Sequence, residues 1–137
     1  MEDNGKSKSG SCLCGDVRFD VTGPLRDIIL CHCTQCQKSS GHHFAATAAL
    51  TTDLHIKPSN SLKWFKSSNH ADRGFCSNCG SSLFWQMQAW DTTSIMVGSF
   101  DEDIKLPVVS QVFMKDRKSY YRPDETIPSY DTYPKDS

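Results

Sequence analysis

Three cysteines fall within the six residues Cys31-His32-Cys33-Thr34-Gln35-Cys36. Two cysteine pairs lie outward from this triplet: Cys12 and Cys14 precede it, and Cys76 and Cys79 follow it. Thiolates separated by one or two residues can reach chelating distance around a single tetrahedral ion, so the spacing predicts metal ligation. The seven cysteines then divide into four and three, which predicts two different zinc sites per chain.

The two sites are expected to differ in coordination. A structural zinc takes four protein ligands, whereas a catalytic zinc takes three and keeps one position for water or substrate. The favoured partition makes the two outer pairs a structural tetrad, formed by Cys12, Cys14, Cys76 and Cys79, and leaves a catalytic triplet, formed by Cys31, Cys33 and Cys36. Spacing alone leaves a second partition open, in which Cys31 and Cys33 join the downstream pair and Cys36 joins the upstream pair.

A disulfide scaffold is the competing interpretation of so many cysteines. An odd count leaves at least one thiol unpaired, and residues two apart on an extended chain lack the geometry that a bridge needs. Residues 1–10 are polar and contain no apolar run, so no secretory signal is expected. We therefore expect reduced thiols and a cytoplasmic location.

Length and charge restrict the remaining classes. A chain of 137 residues suits one domain, and we expect a flexible N-terminal segment over 1–10, a single zinc-binding domain over 11–130 and a tail over 131–137. The 15 basic and 16 acidic residues form no polybasic face, so nucleic acid is not expected as a partner. No apolar stretch approaches the roughly 20 residues of a membrane span.

The apolar pattern favours short strands over helices. Val17, Phe19 and Val21 alternate with polar neighbours, and Ile28 begins a short apolar run that leads into Cys31. The predicted fold class is therefore mainly β, and only Cys36–Ser40 suits a helical turn. The predicted strands cover residues 17–21, 28–31, 44–50, 54–56, 62–65, 83–85, 93–97 and 108–114.

The cysteines lie within longer motifs, and two further motifs follow them. The motifs are GSCLCGDVRF over 10–19, CHCTQCQK over 31–38 with Gly41 and Phe44, RGFCSNCGS over 73–81, VGSFD over 97–101 and IPSY over 127–130. Together they resemble the glutathione-dependent formaldehyde-activating family, a group that also includes centromere protein V. The resemblance extends from about Gly10 to Tyr130, and the joint spacing of its three cysteine motifs is specific.

The resemblance implies a fold, a ligand assignment and a reaction. The fold would be a β-tent domain of mostly antiparallel strands. The tetrad would hold a structural zinc, and the triplet would hold a catalytic zinc. The implied reaction is the addition of glutathione to formaldehyde, which gives S-hydroxymethylglutathione, so the implied class is a carbon–sulfur lyase with glutathione as co-substrate.

Two histidines, His42 and His43, depart from the family pattern, in which small or apolar residues are more usual. Three roles remain open for them: surface residues, a general base or substrate contact near the zinc, or a fourth zinc ligand that would close the open site. His32 lies between two predicted ligands and should point away from the metal, because alternate residues of an extended chain face opposite sides.

The chemistry of three thiolates favours a soft substrate. Such a centre carries a formal negative charge and is a weaker Lewis acid than zinc on neutral histidines, so a thiol suits its open position better than water does. The predicted partners are small thiols and aldehydes. Two other functions remain open: a non-catalytic, zinc-stabilised binding module, and a zinc protein that responds to thiol modification or oxidation.

Overall fold

The structure is a computed structural model that describes residues 7–134. Residues 1–6 of the predicted N-terminal segment and residues 135–137 of the predicted tail lie outside the described part of the chain. The described elements, in chain order, are β1 (Lys8–Ser11), β2 (Arg18–Val21), β3 (Ile28–Cys31), α1 (Thr34–Ser40), β4 (Phe44–Leu50), β5 (Leu54–Ile56), β6 (Leu62–Lys66), β7 (Ala71–Cys76), β8 (Ser82–Met87), β9 (Thr92–Met96) and β10 (Val108–Val112), with 3-10 turns at Thr51–Asp53, Val97–Ser99 and Met114–Asp116.

The prediction of a mainly β fold with little helix is confirmed. Residues 7–134 contain ten strands and one α-helix, and most strand pairs are antiparallel. One pair departs from the expected antiparallel pattern, because β10 runs parallel to β3. The narrower β-tent description stays a prediction.

The described chain forms two compact units, residues 7–26 with 47–105 and residues 27–46 with 106–134. The first unit contains a three-stranded sheet in the order β1-β2-β5 and a series of antiparallel strands in the order β9-β8-β7-β6. The two cysteine pairs of the tetrad both belong to this unit.

Phenylalanine rings form the centre of the first unit. Phe19 is almost fully buried, and its ring meets Phe84 and Phe100 edge to face at centroid distances of 5.3 and 5.5 Å. Gly10 lies opposite Phe19 in the β1–β2 register, and a Cβ atom there would approach the Ser99 carbonyl oxygen to 2.5 Å. Glycine is therefore required at Gly10 because a neighbouring ring and backbone occupy the side-chain space.

The second unit contains β3, α1, the first residues of β4 and the segment from residue 106 onward. In this unit β3 pairs with both β10 and β4, and the register places Cys31 beside Val112 on one side and Phe44 on the other. The C-terminal segment is extended along β10, since Gln111 N–H donates to the Pro128 carbonyl and Tyr130 N–H donates to the Gln111 carbonyl. All three cysteines of the triplet belong to this unit.

Among residues 7–134, α1 has only seven residues, and no candidate membrane-spanning helix is present in this part of the chain.

Candidate metal centres

The tetrad is assembled by two tight turns. Cys12 follows β1, and the turn closes with Gly15 N–H donating to the Cys12 carbonyl at 3.2 Å. Cys76 ends β7, and Gly80 N–H donates to its carbonyl at 2.7 Å. Both glycines have φ near +85°, at 87° and 84°, which L side chains rarely adopt. Each pair is therefore followed by a glycine that turns the chain back toward the next strand.

The four sulfur atoms of the tetrad lie within 4.8 Å of one another. Cys14 Sγ is 3.6 Å from Cys12 Sγ and 3.8 Å from Cys76 Sγ, and a tetrahedral zinc with Zn–S bonds of about 2.3 Å would separate its sulfurs by about 3.8 Å. All seven cysteines are free thiols. This donor set fits a four-coordinate metal ion.

Polar hydrogens point at the tetrad sulfurs. Val17 N–H donates to Cys12 Sγ at 3.3 Å, and the Asn78 amide donates to Cys14 Sγ at 3.3 Å. The Ser81 hydroxyl, 3.2 Å from Cys79 Sγ, and backbone N–H groups lower the pKa of Cys79 to about 5, whereas burial raises the pKa of Cys76 to about 11. The surroundings therefore favour the thiolate form of Cys79 and oppose that of Cys76, and a cation bound at the tetrad would favour the thiolate form of both.

The triplet lies where β3 passes into α1. Cys31 is the last residue of β3, Cys33 is the N-cap of α1, and Cys36 is in the first turn of the helix. Cys33 Sγ accepts the Cys36 N–H at 3.3 Å, which satisfies one of the free amides at the helix start. The three sulfurs lie within 4.8 Å of one another, with Cys33 and Cys36 only 3.1 Å apart.

The triplet is open to solvent on part of its surface. Cys36 is buried, but Cys31 and Cys33 are only half-buried. The neighbouring thiols of Cys33 and Cys36 raise the pKa of Cys31 well above its usual range. Three thiolates this close together repel one another, so the arrangement fits a cation with one coordination position left for another ligand.

A layer of aromatic and imidazole rings adjoins the triplet. His32 is 3% exposed, and its ring lies 4.5 Å from that of His43 and 4.4 Å from that of Tyr121. The Tyr121 hydroxyl donates to Gln111 Oε1 at 3.0 Å, and Gln111 is fully buried. Burial, followed by His43, His42 and Arg117, lowers the pKa of His32 to about 4, so this layer is neutral near pH 7.

A second, exposed pair of rings lies against this layer. His42 Nδ1 is 2.7 Å from the Tyr120 hydroxyl, and the two rings are stacked at 5.6 Å. The His42 ring is also 4.1 Å from that of His43. Neither His42 nor His43 joins the sulfur group of the triplet among the described residues, so the interpretation of either as a fourth ligand is disfavoured.

The family model described as "Glutathione-dependent formaldehyde-activating enzyme" matches residues 7–116. The chain belongs to this family. The match covers both members of each outer cysteine pair, the triplet and the two histidines. It confirms the family resemblance that the cysteine motifs predicted.

Two known proteins are similar to this member of the glutathione-dependent formaldehyde-activating enzyme family. An uncharacterized lyase of Schizosaccharomyces pombe is 28% identical over 76 residues, which are 56% of this chain and 55% of that protein. The chain thus spans about half the length of the curated relative. A crystal structure of a Rhodobacter sphaeroides protein, a structural-genomics target, matches with a TM-score of 0.56 and 19% identity over 89% of this chain and 98% of that chain. This likeness shows the fold alone.

The predicted site residues of this family member fall together as two separate sulfur groups, Cys12, Cys14, Cys76 and Cys79 in one and Cys31, Cys33 and Cys36 in the other. The mixed partition, with Cys31 and Cys33 beside the downstream pair, is not the grouping in the structure. Sequence reasoning missed Tyr120, Tyr121 and Gln111. The adjacent tyrosines were visible, but no periodicity linked residues 111–121 to a triplet that is some 80 positions earlier in the chain.

Proposed function

We propose that this protein is a zinc-dependent, carbon–sulfur lyase-like enzyme that adds a thiol, glutathione in the first instance, to formaldehyde or a related small aldehyde. The division of the seven cysteines into a tetrad and a triplet at metal-binding distance carries the proposal. In this proposal the tetrad holds a structural zinc and the triplet holds a catalytic zinc. Family membership and the lyase name of the S. pombe relative support the class of reaction.

The triplet residues suit a thiol substrate. A zinc ion held by Cys31, Cys33 and Cys36 would lower the pKa of an incoming thiol and fix its sulfur beside the carbonyl carbon. The half-buried sulfurs of Cys31 and Cys33 leave the approach to this position open. The helix start holds the Cys33 and Cys36 side chains in a fixed relation through the Cys36 N–H bond.

A second candidate function is a zinc protein that responds to thiol oxidation. The specific observation in its favour is the 3.1 Å separation of the Cys33 and Cys36 sulfurs at a partly exposed site. Oxidation of this pair to a disulfide would remove two of the three ligands and release the metal. Under this function the triplet would lose and regain zinc under mild peroxide and reductant, without accelerating any reaction of glutathione.

The test is exchange NMR on an equilibrium mixture of glutathione and formaldehyde. The rate of interconversion of S-hydroxymethylglutathione is measured without protein, with the wild type and with Cys33→Ser, and the zinc content of each preparation is determined. Serine is a strong N-cap residue, so Cys33→Ser keeps the helix start and removes only the thiolate. Ser39→Ala, at an exposed position of the same helix, is the matched control.

We expect the wild type and Ser39→Ala to accelerate the exchange. With Cys33→Ser, we expect the exchange rate to equal the rate without protein. Equal rates with the wild type and with no protein, in a preparation that holds two zinc ions per chain, would overturn the proposed reaction. The peroxide experiment would then decide for or against the redox-responsive function.

A further inference from the structure

His42 is tied to the helix that carries Cys36. Gly41 ends α1 in the left-handed conformation, with φ at 87°, and its N–H donates to the Gln37 carbonyl at 2.7 Å. The Ser40 hydroxyl donates to the Cys36 carbonyl at 2.7 Å and accepts the His42 N–H at 3.0 Å. The position of the His42 backbone is therefore fixed relative to the first turn of the helix that holds the triplet.

The segment that carries Tyr120 is joined to the β3–α1 connection through a separate anchor. The Gln37 side chain donates to the carbonyls of His32 and Asp116, each at 2.7 Å, which joins the segment around residue 116 to the β3–α1 connection. Four residues later, Tyr120 meets the His42 ring in the 2.7 Å hydrogen bond. The His42–Tyr120 pair thus has two independent attachments to the part of the chain that carries the triplet.

The pair also differs from the rings beneath it in its access to solvent. His42 is exposed and Tyr120 is 63% exposed. By contrast, His32 Nε2 and His43 Nδ1 are buried without a hydrogen-bond partner, and the Tyr121 hydroxyl is engaged by Gln111. Of these five rings, only those of His42 and Tyr120 belong to exposed residues, so these two are best placed to exchange a proton with a molecule arriving from solvent.

We infer that the hydrogen-bonded His42–Tyr120 pair contacts the aldehyde oxygen at the triplet and carries the proton of the addition reaction. This inference rests on the proposed function and assigns the groups that donate and accept the proton in that reaction. As the thiol sulfur bonds to the carbonyl carbon, the C=O π bond breaks and leaves an alkoxide. The Tyr120 hydroxyl donates its proton to that oxygen.

The pair accepts one proton and donates one proton in each addition. The thiol releases a proton, and His42 Nε2 accepts it. His42 Nδ1 then donates its own proton to the Tyr120 oxygen across the hydrogen bond. The imidazole ends as the other neutral tautomer, which exchanges with water because His42 is exposed. One thiol proton enters and one hydroxyl proton leaves, so the step needs no further reactant.

The test uses the holoprotein and the variants Tyr120→Phe and His42→Gln. Tyr120→Phe keeps the ring that stacks on His42 and removes only the hydroxyl. Tyr133→Phe is the matched control, since Tyr133 is half-exposed in the same unit and packs on Phe113 instead. We expect Tyr120→Phe and His42→Gln to lower kcat for adduct interconversion by about 100-fold, with zinc content and unfolding midpoint unchanged. Wild-type kcat in both variants would overturn the inference.

A second readout separates this inference from the proposed reaction. The ring resonances of His42 are followed while S-hydroxymethylglutathione, glutathione alone or formaldehyde alone is added to the wild type and to Tyr120→Phe. A shift that only the adduct causes, and that Tyr120→Phe reduces, supports the contact even if the wild type does not accelerate exchange. No shift with the adduct in a wild type that does not accelerate exchange would overturn both proposals.

Discussion

His32 lies between Cys31 and Cys33 in the sequence, and its side chain is almost completely buried. Burial, the neighbouring His43 and His42 and the Arg117 charge lower its pKa to about 4, whereas an unfolded histidine titrates near 6.5. Between these values the unfolded chain binds more protons than the folded chain. The contribution of neutral His32 to stability is therefore fully present above about pH 6.5 and is lost as the pH falls toward 4.

This titration predicts a difference between the wild type and His32→Leu. On acidification from pH 7 to pH 5, the free energy of unfolding of the wild type should fall by up to about 2 kcal/mol relative to the variant. Protonation of the metal ligands affects both proteins and cancels in the comparison. Denaturant unfolding at the two pH values measures the difference. Parallel losses in the two proteins would contradict the assigned pKa.

The sequence predicts which side chains lie close together where this depends only on residue type and local spacing. Three thiols within six residues are close in any fold, and the structure indeed brings the triplet sulfurs within 4.8 Å. The partner of His42 could not be read in this way. Tyr120 is 78 residues away in the chain, and its hydrogen bond depends on the path of the C-terminal segment along β10.

At the scale of elements, the strands β1 and β7, which were not predicted from the sequence, contain few large apolar side chains. Strand β1 has the sequence KSGS, and its buried position is Gly10, where the ring of Phe19 occupies the side-chain space. Strand β7 has the sequence ADRGFC, and it buries Ala71, Gly74 and Cys76. Hydrophobic periodicity identified β2 and β3 because their buried residues are large, but it cannot detect strands that are buried through small residues.

Strand β10 holds the C-terminal segment through the fully buried Gln111. Its Nε2 donates to the Asp124 carbonyl at 3.0 Å and to the Ser129 hydroxyl at 3.1 Å, and its Oε1 accepts from Tyr121. Gln111→Leu leaves these groups unpaired, so we expect a loss of at least about 2 kcal/mol in the free energy of unfolding. Trypsin cleavage after Lys118 should also become faster.

The matched control for this prediction is Gln88→Leu, at an exposed position in the first unit. It should change the free energy of unfolding by less than about 0.5 kcal/mol. Denaturant titration and timed proteolysis measure both variants. An unchanged midpoint together with unchanged cleavage for Gln111→Leu would show that the buried amide does not hold the segment.

At the scale of the whole molecule, each compact unit contains one cysteine cluster, but the two clusters close chain segments of very different length. The triplet spans six residues, whereas the sulfur contact between Cys14 and Cys76 joins residues 62 positions apart. A metal ion in the tetrad constrains the unfolded chain far more than one in the triplet. The cysteine motifs predicted both of these residues as metal ligands, but strand β7, which ends at Cys76, was not predicted.

The two clusters should therefore fail differently when a ligand is removed. Cys76→Ser removes a fully buried cysteine of the tetrad. Structural zinc contributes about 10–16 kcal/mol in small domains, which equals or exceeds the total free energy of unfolding of many domains, so we expect the first unit to unfold. Cys33→Ser should lose one zinc ion and keep the fold, since serine preserves the helix cap. Zinc analysis and amide hydrogen exchange check both expectations. If Cys76→Ser kept wild-type amide protection in β7 and β8, the tetrad would not be a folding element, and the assignment of a structural metal to it would be wrong.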